Sequence, residues 1–78
     1  MKSVTIYSTP TCSYCRAAKA FFKDNNVTYQ EKDVAGDVAA RDEMIIKSHQ
    51  MGVPVIDIDG SVTVGFDESR LREMLEIK

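Results

Sequence analysis

The chain has 78 residues, of which 44% are hydrophobic and 28% are charged, and its formal net charge is −2. This length and composition predict one globular domain over residues 1–78 and exclude a disordered chain or a membrane-spanning protein. Because acidic and basic residues are mixed along the chain, the charge gives no reason to expect nucleic acid or a membrane as a partner.

The first half of the chain predicts a strand, a helix and a second strand. β-branched and aromatic residues predict a strand from Ser3 to Tyr7 or Ser8, and a Ser-Thr-Pro-Thr segment ends it. A helix is predicted over 13–23 and a second strand over 27–31, and the right-handed crossover between the strands makes them parallel. The helix prediction rests on apolar residues at spacings of three and four, which are Cys15, Ala18, Phe21 and Phe22.

The second half predicts a helix, a hairpin and a last helix. Asp37 is predicted to cap a helix that runs to His49, and Gly52 is interpreted as its stop signal. Strands over 53–58 and 61–64 flank Asp59-Gly60, a pair typical of a type I′ turn. Asp67 can cap the last helix, whose apolar positions are Leu71, Met74, Leu75 and Ile77.

The predicted order of elements is β-α-β-α-β-β-α. A four-stranded mixed sheet with the three helices packed on both of its faces is the natural way to bury the apolar sides of these elements. The expected fold class is therefore α/β.

The two cysteines, Cys12 and Cys15, lie where the first strand gives way to the first helix. A Cys-x-x-Cys at such a junction indicates a redox pair, because unpaired N–H groups at a helix N-terminus favour a thiolate. Two other interpretations are inert buried thiols and a zinc site. A structural zinc site needs four ligands, whereas the chain offers two cysteines and the distant His49, so no metal is expected.

The chain resembles the glutaredoxin branch of the thioredoxin fold over its whole length. The resemblance rests on Thr11-Cys12-Ser13-Tyr14-Cys15 after a strand, on Val53-Pro54 about forty residues later, and on a hairpin leading to Gly65-Phe66-Asp67. It implies a thiol-disulfide oxidoreductase in which Cys12 is the nucleophile and Cys15 the resolving thiol. It also implies a cis peptide bond before Pro54.

The same resemblance implies where glutathione or a substrate peptide binds. Val53 and Pro54 would present backbone beside the active site, and Asp67 would accept the amine of glutathione as well as capping the helix. The full set of predicted binding residues is Thr11, Tyr14, Gln50, Val53, Pro54, Gly65, Phe66 and Asp67.

Several positions depart from the usual pattern of the family. Thr9 stands where many glutaredoxins have a lysine that contacts glutathione, and Gly52 stands where many have threonine. The pair Gly65-Phe66 looks more like the redoxins that serve ribonucleotide reductase and are reduced by thioredoxin reductase. The electron donor is therefore left open between glutathione and thioredoxin reductase.

Two further expectations concern cofactors and location. Ser13 stands where many relatives have proline. Some glutaredoxins with serine at this position hold a glutathione-ligated [2Fe–2S] cluster, so an iron–sulfur carrier is kept as a further, less favoured alternative. Otherwise no bound cofactor is expected, and the protein is expected to be a monomer acting on disulfide-containing or glutathionylated proteins. The N-terminal segment lacks the apolar core of a signal peptide, so a cytoplasmic location is predicted.

Overall fold

The computed structural model of the protein describes residues 2–77. It contains four strands and three helices in the predicted order. Their bounds are β1 Val4–Ser8, α1 Ser13–Asp24, β2 Gln30–Asp33, α2 Val38–Ser48, β3 Val55–Ile58, β4 Ser61–Val64 and α3 Glu68–Leu75.

The strands form one mixed sheet in the order β2-β1-β3-β4. β1 pairs in parallel with β2, from Thr5 opposite Gln30 onwards, and antiparallel with β3, where Val4 lies opposite Ile58. β4 pairs antiparallel with β3. The predicted thioredoxin fold with a four-stranded mixed sheet is confirmed, and β1 is a central strand that leads directly to the cysteines.

Each face of the sheet is covered by its own apolar cluster. One cluster joins side chains of β1 and β3 to α1 and α3 and includes Ile6, Phe22 and Leu71. The other joins Tyr7 and Val55 to Ala40 and Met44 of α2. Alternate residues of β1 therefore point to opposite faces, as in any strand, and both faces of the central strand are buried. Within residues 2–77, no helix has the length and apolar character needed to cross a membrane.

The predicted bounds of β2 and β3 were wrong by two or three residues. β2 begins at Gln30 and not at Val27, because the Val27 N–H bonds to the Phe22 carbonyl at 2.8 Å and closes the end of α1. β3 begins at Val55 and not at Val53, since Val53 and Pro54 are joined by a cis peptide bond and lie in the preceding loop.

The end of α2 also differs from the prediction. The helix ends at Ser48, and His49 is its C-cap in the left-handed region with φ of 59°. The His49 N–H bonds to the Ile45 carbonyl at 2.7 Å. The interpretation of Gly52 as the stop signal was wrong, because the turn of the chain is made three residues earlier.

Caps and turns were predicted more reliably. The side chains of Asp37 and Asp67 accept the backbone N–H groups of Ala40 and Arg70, so both aspartates cap their helices as predicted. Asp59 and Gly60 both have positive φ, as a type I′ turn requires. The apolar pattern predicted for the last helix continues beyond the end of α3 at Leu75. Ile77 lies outside the helix and packs against the core.

Candidate active site

Cys12 occupies the N-cap of α1, with an extended backbone (φ −86°, ψ 114°). Its backbone N–H bonds to the Thr9 carbonyl at 3.3 Å, which closes the turn between β1 and α1. Its sulfur accepts the backbone N–H of Cys15 at 3.1 Å. The sulfur therefore takes the place that a serine or aspartate oxygen usually fills at a helix start, facing N–H groups that favour negative charge.

The two sulfurs differ in their access to solvent. Cys12 is partly exposed, whereas Cys15 is fully buried, and both are free thiols. Burial and, second, the hydrogen bond with Cys12 raise the pKa of Cys15 to about 11. Cys15 is therefore a protonated thiol at neutral pH, and Cys12 is the sulfur that a substrate can reach.

Backbone from the other half of the chain forms the opposite wall of the site. The Val53 carbonyl lies 3.9 Å from the Cys12 sulfur, and the Val53–Pro54 peptide bond is cis. The Gly65 N–H bonds to the Pro54 carbonyl at 2.7 Å, so the segment after β4 is tied to the same loop. Gly65 has φ of +83°, a conformation that glycine adopts without strain.

Thr11 and Tyr14 lie on the solvent side of the cysteines. Thr11 is exposed, and Tyr14 is 67% exposed although its ring is large and apolar. Both are close in sequence to Cys12, one immediately before it and the other two residues after it. Their side chains are available to a molecule that approaches the sulfur.

Gln50 is engaged with its own loop. Its side-chain oxygen accepts the Gly52 N–H at 2.6 Å, and its nitrogen donates to the Gly52 carbonyl and to Ser48. These bonds brace the loop that leads to Val53 and Pro54. The polar end of Gln50 is therefore already satisfied by the protein.

Phe66 and Asp67 both have structural partners. Phe66 is half-buried and contacts the Phe21 ring edge-on, with 6.0 Å between the ring centroids. Asp67 is exposed and caps α3 by accepting the Arg70 N–H at 3.2 Å. The structure thus brings Cys12, Cys15, Val53 and Pro54 together, and links Gly65 to them through the Pro54 carbonyl.

The bonds that join Lys19, Glu31 and Ser8 next to the site were not predicted from the sequence. Lys19 lies one helical turn after Cys15, and its ammonium bonds to Glu31 at 2.8 Å. The same Glu31 oxygen accepts the hydroxyl of Ser8, which is only 1% exposed. The spacing of four between Cys15 and Lys19 is the one signal in the sequence that points to this arrangement.

The described part of the chain, residues 2–77, contains no group of three or more His, Cys, Asp or Glu side chains placed to hold a metal ion. The two sulfurs of Cys12 and Cys15 are reactive groups of the site. An accessible thiolate can attack a disulfide, and a second thiol one helical turn away can displace the product.

The chain is similar to known proteins of one family. A family model described as Glutaredoxin matches residues 4–63. An uncharacterized glutaredoxin-like 8.6 kDa protein in the rubredoxin operon of Clostridium pasteurianum is 42% identical over 73 residues, covering 94% of this chain and 97% of the relative. Glutaredoxin 3 of Escherichia coli K12 is 41% identical over 68 residues, covering 87% of this chain and 82% of that protein.

Among solved structures, a variant of the thioredoxin-like protein BC3987 superposes with a TM-score of 0.92. The match covers 100% of both chains at 38% sequence identity. The similarity therefore includes the strand-to-helix junction that carries the cysteines and the whole of the sheet behind it.

Proposed function

The chain belongs to the glutaredoxin family, and from this premise we propose that it reduces disulfides through Cys12 and Cys15 with electrons from glutathione. Its substrates would be disulfide-containing proteins and mixed disulfides between proteins and glutathione. The observation that supports this most directly is the unequal pair of sulfurs, with Cys12 accessible at a helix N-terminus and Cys15 buried behind it.

With a protein disulfide the reaction has two steps. The Cys12 thiolate attacks one substrate sulfur, a Cys12–substrate disulfide forms, and the other substrate sulfur leaves as a thiolate that takes a proton from water. Cys15 then loses its proton and attacks the Cys12 sulfur. The Cys12–Cys15 disulfide forms, the second substrate thiolate leaves, and the substrate has gained two electrons.

With a glutathionylated protein, Cys12 alone is sufficient. Cys12 attacks the glutathione sulfur and releases the protein as a thiolate, and a second glutathione then releases oxidised glutathione from Cys12. In this proposal the Val53 backbone pairs with the peptide of glutathione. Thr11, Tyr14, Gly65, Phe66 and Asp67 surround it, and Gln50 contributes by holding the loop.

Replacing each cysteine by serine separates the two routes. Cys12→Ser is expected to abolish both activities, because no other exposed thiol remains. Cys15→Ser is expected to retain glutathione-dependent release of glutathione from a mixed disulfide but to lose most reduction of protein disulfides, measured with insulin as substrate. Equal loss of both activities in Cys15→Ser would contradict the assigned roles.

The electron donor is tested in a separate experiment. Thr9 and the Gly65-Phe66 pair favour the alternative, in which the protein is a redoxin reduced by thioredoxin reductase. The deciding experiment offers the oxidised protein separately to glutathione with glutathione reductase and to thioredoxin reductase, each with NADPH. Faster turnover with glutathione is expected. Turnover with thioredoxin reductase alone would support the alternative, in which ribonucleotide reductase or a similar enzyme receives the electrons. Either donor places the proposed activity in a reducing compartment, and the cytoplasm is the one we propose.

A further inference from the structure

Three elements meet at Lys19, next to the buried sulfur. Lys19 lies on α1, Glu31 on β2 and Ser8 at the end of β1, and both Lys19 and Ser8 bond to the same Glu31 oxygen at 2.8 Å. Ser8 is 1% exposed and is held in place by the central strand. The Lys19 ammonium is therefore paired with a carboxylate of the sheet, in an ion pair whose Glu31 side chain is 42% exposed.

Lys19 is also on the same side of α1 as Cys15, because residues four apart on a helix are neighbours. Two groups oppose the effect of burial on the pKa of Cys15: the backbone N–H of Thr9 and, by its charge, Lys19. Cys15 in turn contributes to the raised pKa of Lys19, whose first cause is the hydrogen bond with Glu31. Both effects describe one electrostatic interaction, between the Lys19 ammonium and the Cys15 sulfur.

Four further groups on neighbouring elements act on Cys15, on Lys19 or on Glu31. Cys12, from the loop before α1, disfavours it both through its hydrogen bond and through its charge. Glu31 and Tyr29, from the β2 side, act on Lys19 and keep it protonated. Ser8, on β1, is uncharged and bonds to Glu31.

We propose that the Lys19 ammonium, held by Glu31 and Ser8, stabilises the Cys15 thiolate as it attacks the mixed disulfide, and thereby sets the rate of the dithiol route. This inference rests on the proposed function and specifies its second step. Cys15 gives its proton to water, its sulfur bonds to the Cys12 sulfur, and the bond between Cys12 and the substrate sulfur breaks. Lys19 keeps its proton throughout and touches no reacting atom, so it is a positioning residue that acts through its charge.

The test follows the two steps separately with 4,4′-dithiodipyridine, a neutral disulfide that releases one absorbing thiopyridone in each step. Because the probe is uncharged, removal of a lysine does not change its attraction to the site. The first release reports attack by Cys12, and the second reports resolution by Cys15. Stopped-flow traces of the reduced protein are recorded as a function of pH.

Lys19→Met is expected to leave the first release unchanged and to slow the second by about tenfold near neutral pH, the effect of roughly one pKa unit. Its pH profile for the second release is expected to be displaced to higher pH. Lys19→Arg keeps the charge and should restore the rate. Lys23→Met, which removes a charge from the same helix one turn farther from Cys15, is the matched control and should leave both releases unchanged.

Glu31→Gln distinguishes charge from a purely structural role. It breaks the ion pair between α1 and β2 but leaves the lysine charged, so resolution should remain faster than in Lys19→Met. The proposal would be overturned by equal slowing in Glu31→Gln and Lys19→Met, by a pH profile that does not move, or by equal slowing of both releases. Failure of the proposed function would be distinct from these results, because the wild-type protein would then show no second release.

Discussion

The sulfur of Cys12 receives a backbone hydrogen bond at the surface, while the sulfur of Cys15 lies inside the protein. Two identical side chains three residues apart are thereby given different chemistry. The difference comes from the position of the helix start, because Cys12 is the N-cap of α1 while Cys15, within the first turn, is buried.

Selective alkylation should reveal this difference. Iodoacetamide added to the reduced, folded protein near pH 8 is expected to modify Cys12 and to spare Cys15, whose pKa is raised to about 11 by burial. A thiol reacts as its thiolate, so Cys15 should become reactive only as the pH approaches its pKa or after the fold is opened with denaturant. Peptide mass spectrometry measures both sites, and modification of both at similar rates under native conditions would contradict the assignment.

Asp67 has a structural role that can be separated from the predicted binding role. Asp67→Asn keeps an oxygen for the Arg70 N–H and is expected to preserve stability, whereas Asp67→Ala should lose about 1 kcal/mol in urea denaturation. If the carboxylate also accepts the glutathione amine, Asp67→Asn should raise the KM for glutathione at unchanged stability. An unchanged KM in Asp67→Asn would leave the cap as the function of this residue.

At the scale of elements, a charged cluster joins α2 to the sheet. Glu43 on α2 accepts the hydroxyl of the buried Tyr7 on β1 and pairs with Lys32 on β2 and with Lys47 one turn later on α2. Lys47 also reaches Asp57 on β3 at 2.7 Å. One helix is thus connected to three strands through polar contacts at the border of an apolar cluster.

Acid should weaken this connection. The hydrogen bond from Tyr7 and then that from Lys32 lower the pKa of Glu43 to about 2 from its ordinary value of 4.5. A lowered pKa in the folded state means that the stabilisation is present above the ordinary pKa and is lost as the pH falls from about 4.5 towards about 2. Because the Glu43 side chain is 40% exposed, solvent weakens the effect, and we expect about 1 kcal/mol at neutral pH.

Urea denaturation of the wild-type protein and of Glu43→Gln over this pH range measures the effect. The amide can still accept the Tyr7 hydroxyl but carries no charge, so the stability of the variant should depend less on pH. Glu31, whose pKa is also lowered, is present in both proteins and cancels in the difference. Parallel pH profiles for the two proteins would show that Glu43 contributes nothing to acid stability.

The features that sequence could predict are those set by neighbouring residues. Asp37 and Asp67 cap helices, and Asp59-Gly60 turns the hairpin, because each conformation depends on one or two side chains. The start of β2 could not be predicted in this way. The alternation over 27–31 fits a strand that begins at Val27, but the Val27 N–H bonds to the Phe22 carbonyl and so belongs to the end of α1.

The same distinction holds for the site. Cys12 and Cys15 are recognisable from their spacing and their place before a helix. The internal role of Gln50 depends on how one loop folds back on itself, and the bond between Lys19 and Glu31 depends on how α1 packs against β2. Pairing between distant residues is what a single sequence leaves undetermined.

At the scale of the whole molecule, stability depends on a small core. Phe22 is fully buried and contacts the rings of Phe21 and Tyr29 at centroid distances of 5.9 and 5.3 Å. Phe22→Ala is expected to cost about 3–5 kcal/mol, a large part of the roughly 5–15 kcal/mol typical of a native domain.

Circular dichroism during urea denaturation would detect the loss. The control is Ile46→Ala, because Ile46 is 74% exposed and its truncation should change stability by no more than about 0.5 kcal/mol. A Phe22→Ala variant with a wild-type denaturation midpoint would show that the core tolerates the cavity.

The central place of β1 has a consequence for biosynthesis. β1 and the two thiols are synthesised before β3, whose Ile58 pairs with Val4. Until β3 has been made, β1 lacks its antiparallel partner, and the apolar surface against which α1 packs is incomplete. Cys15 is then not yet buried. We expect the nascent chain to be open to oxidation at both sulfurs until β3 has been synthesised and has paired with β1.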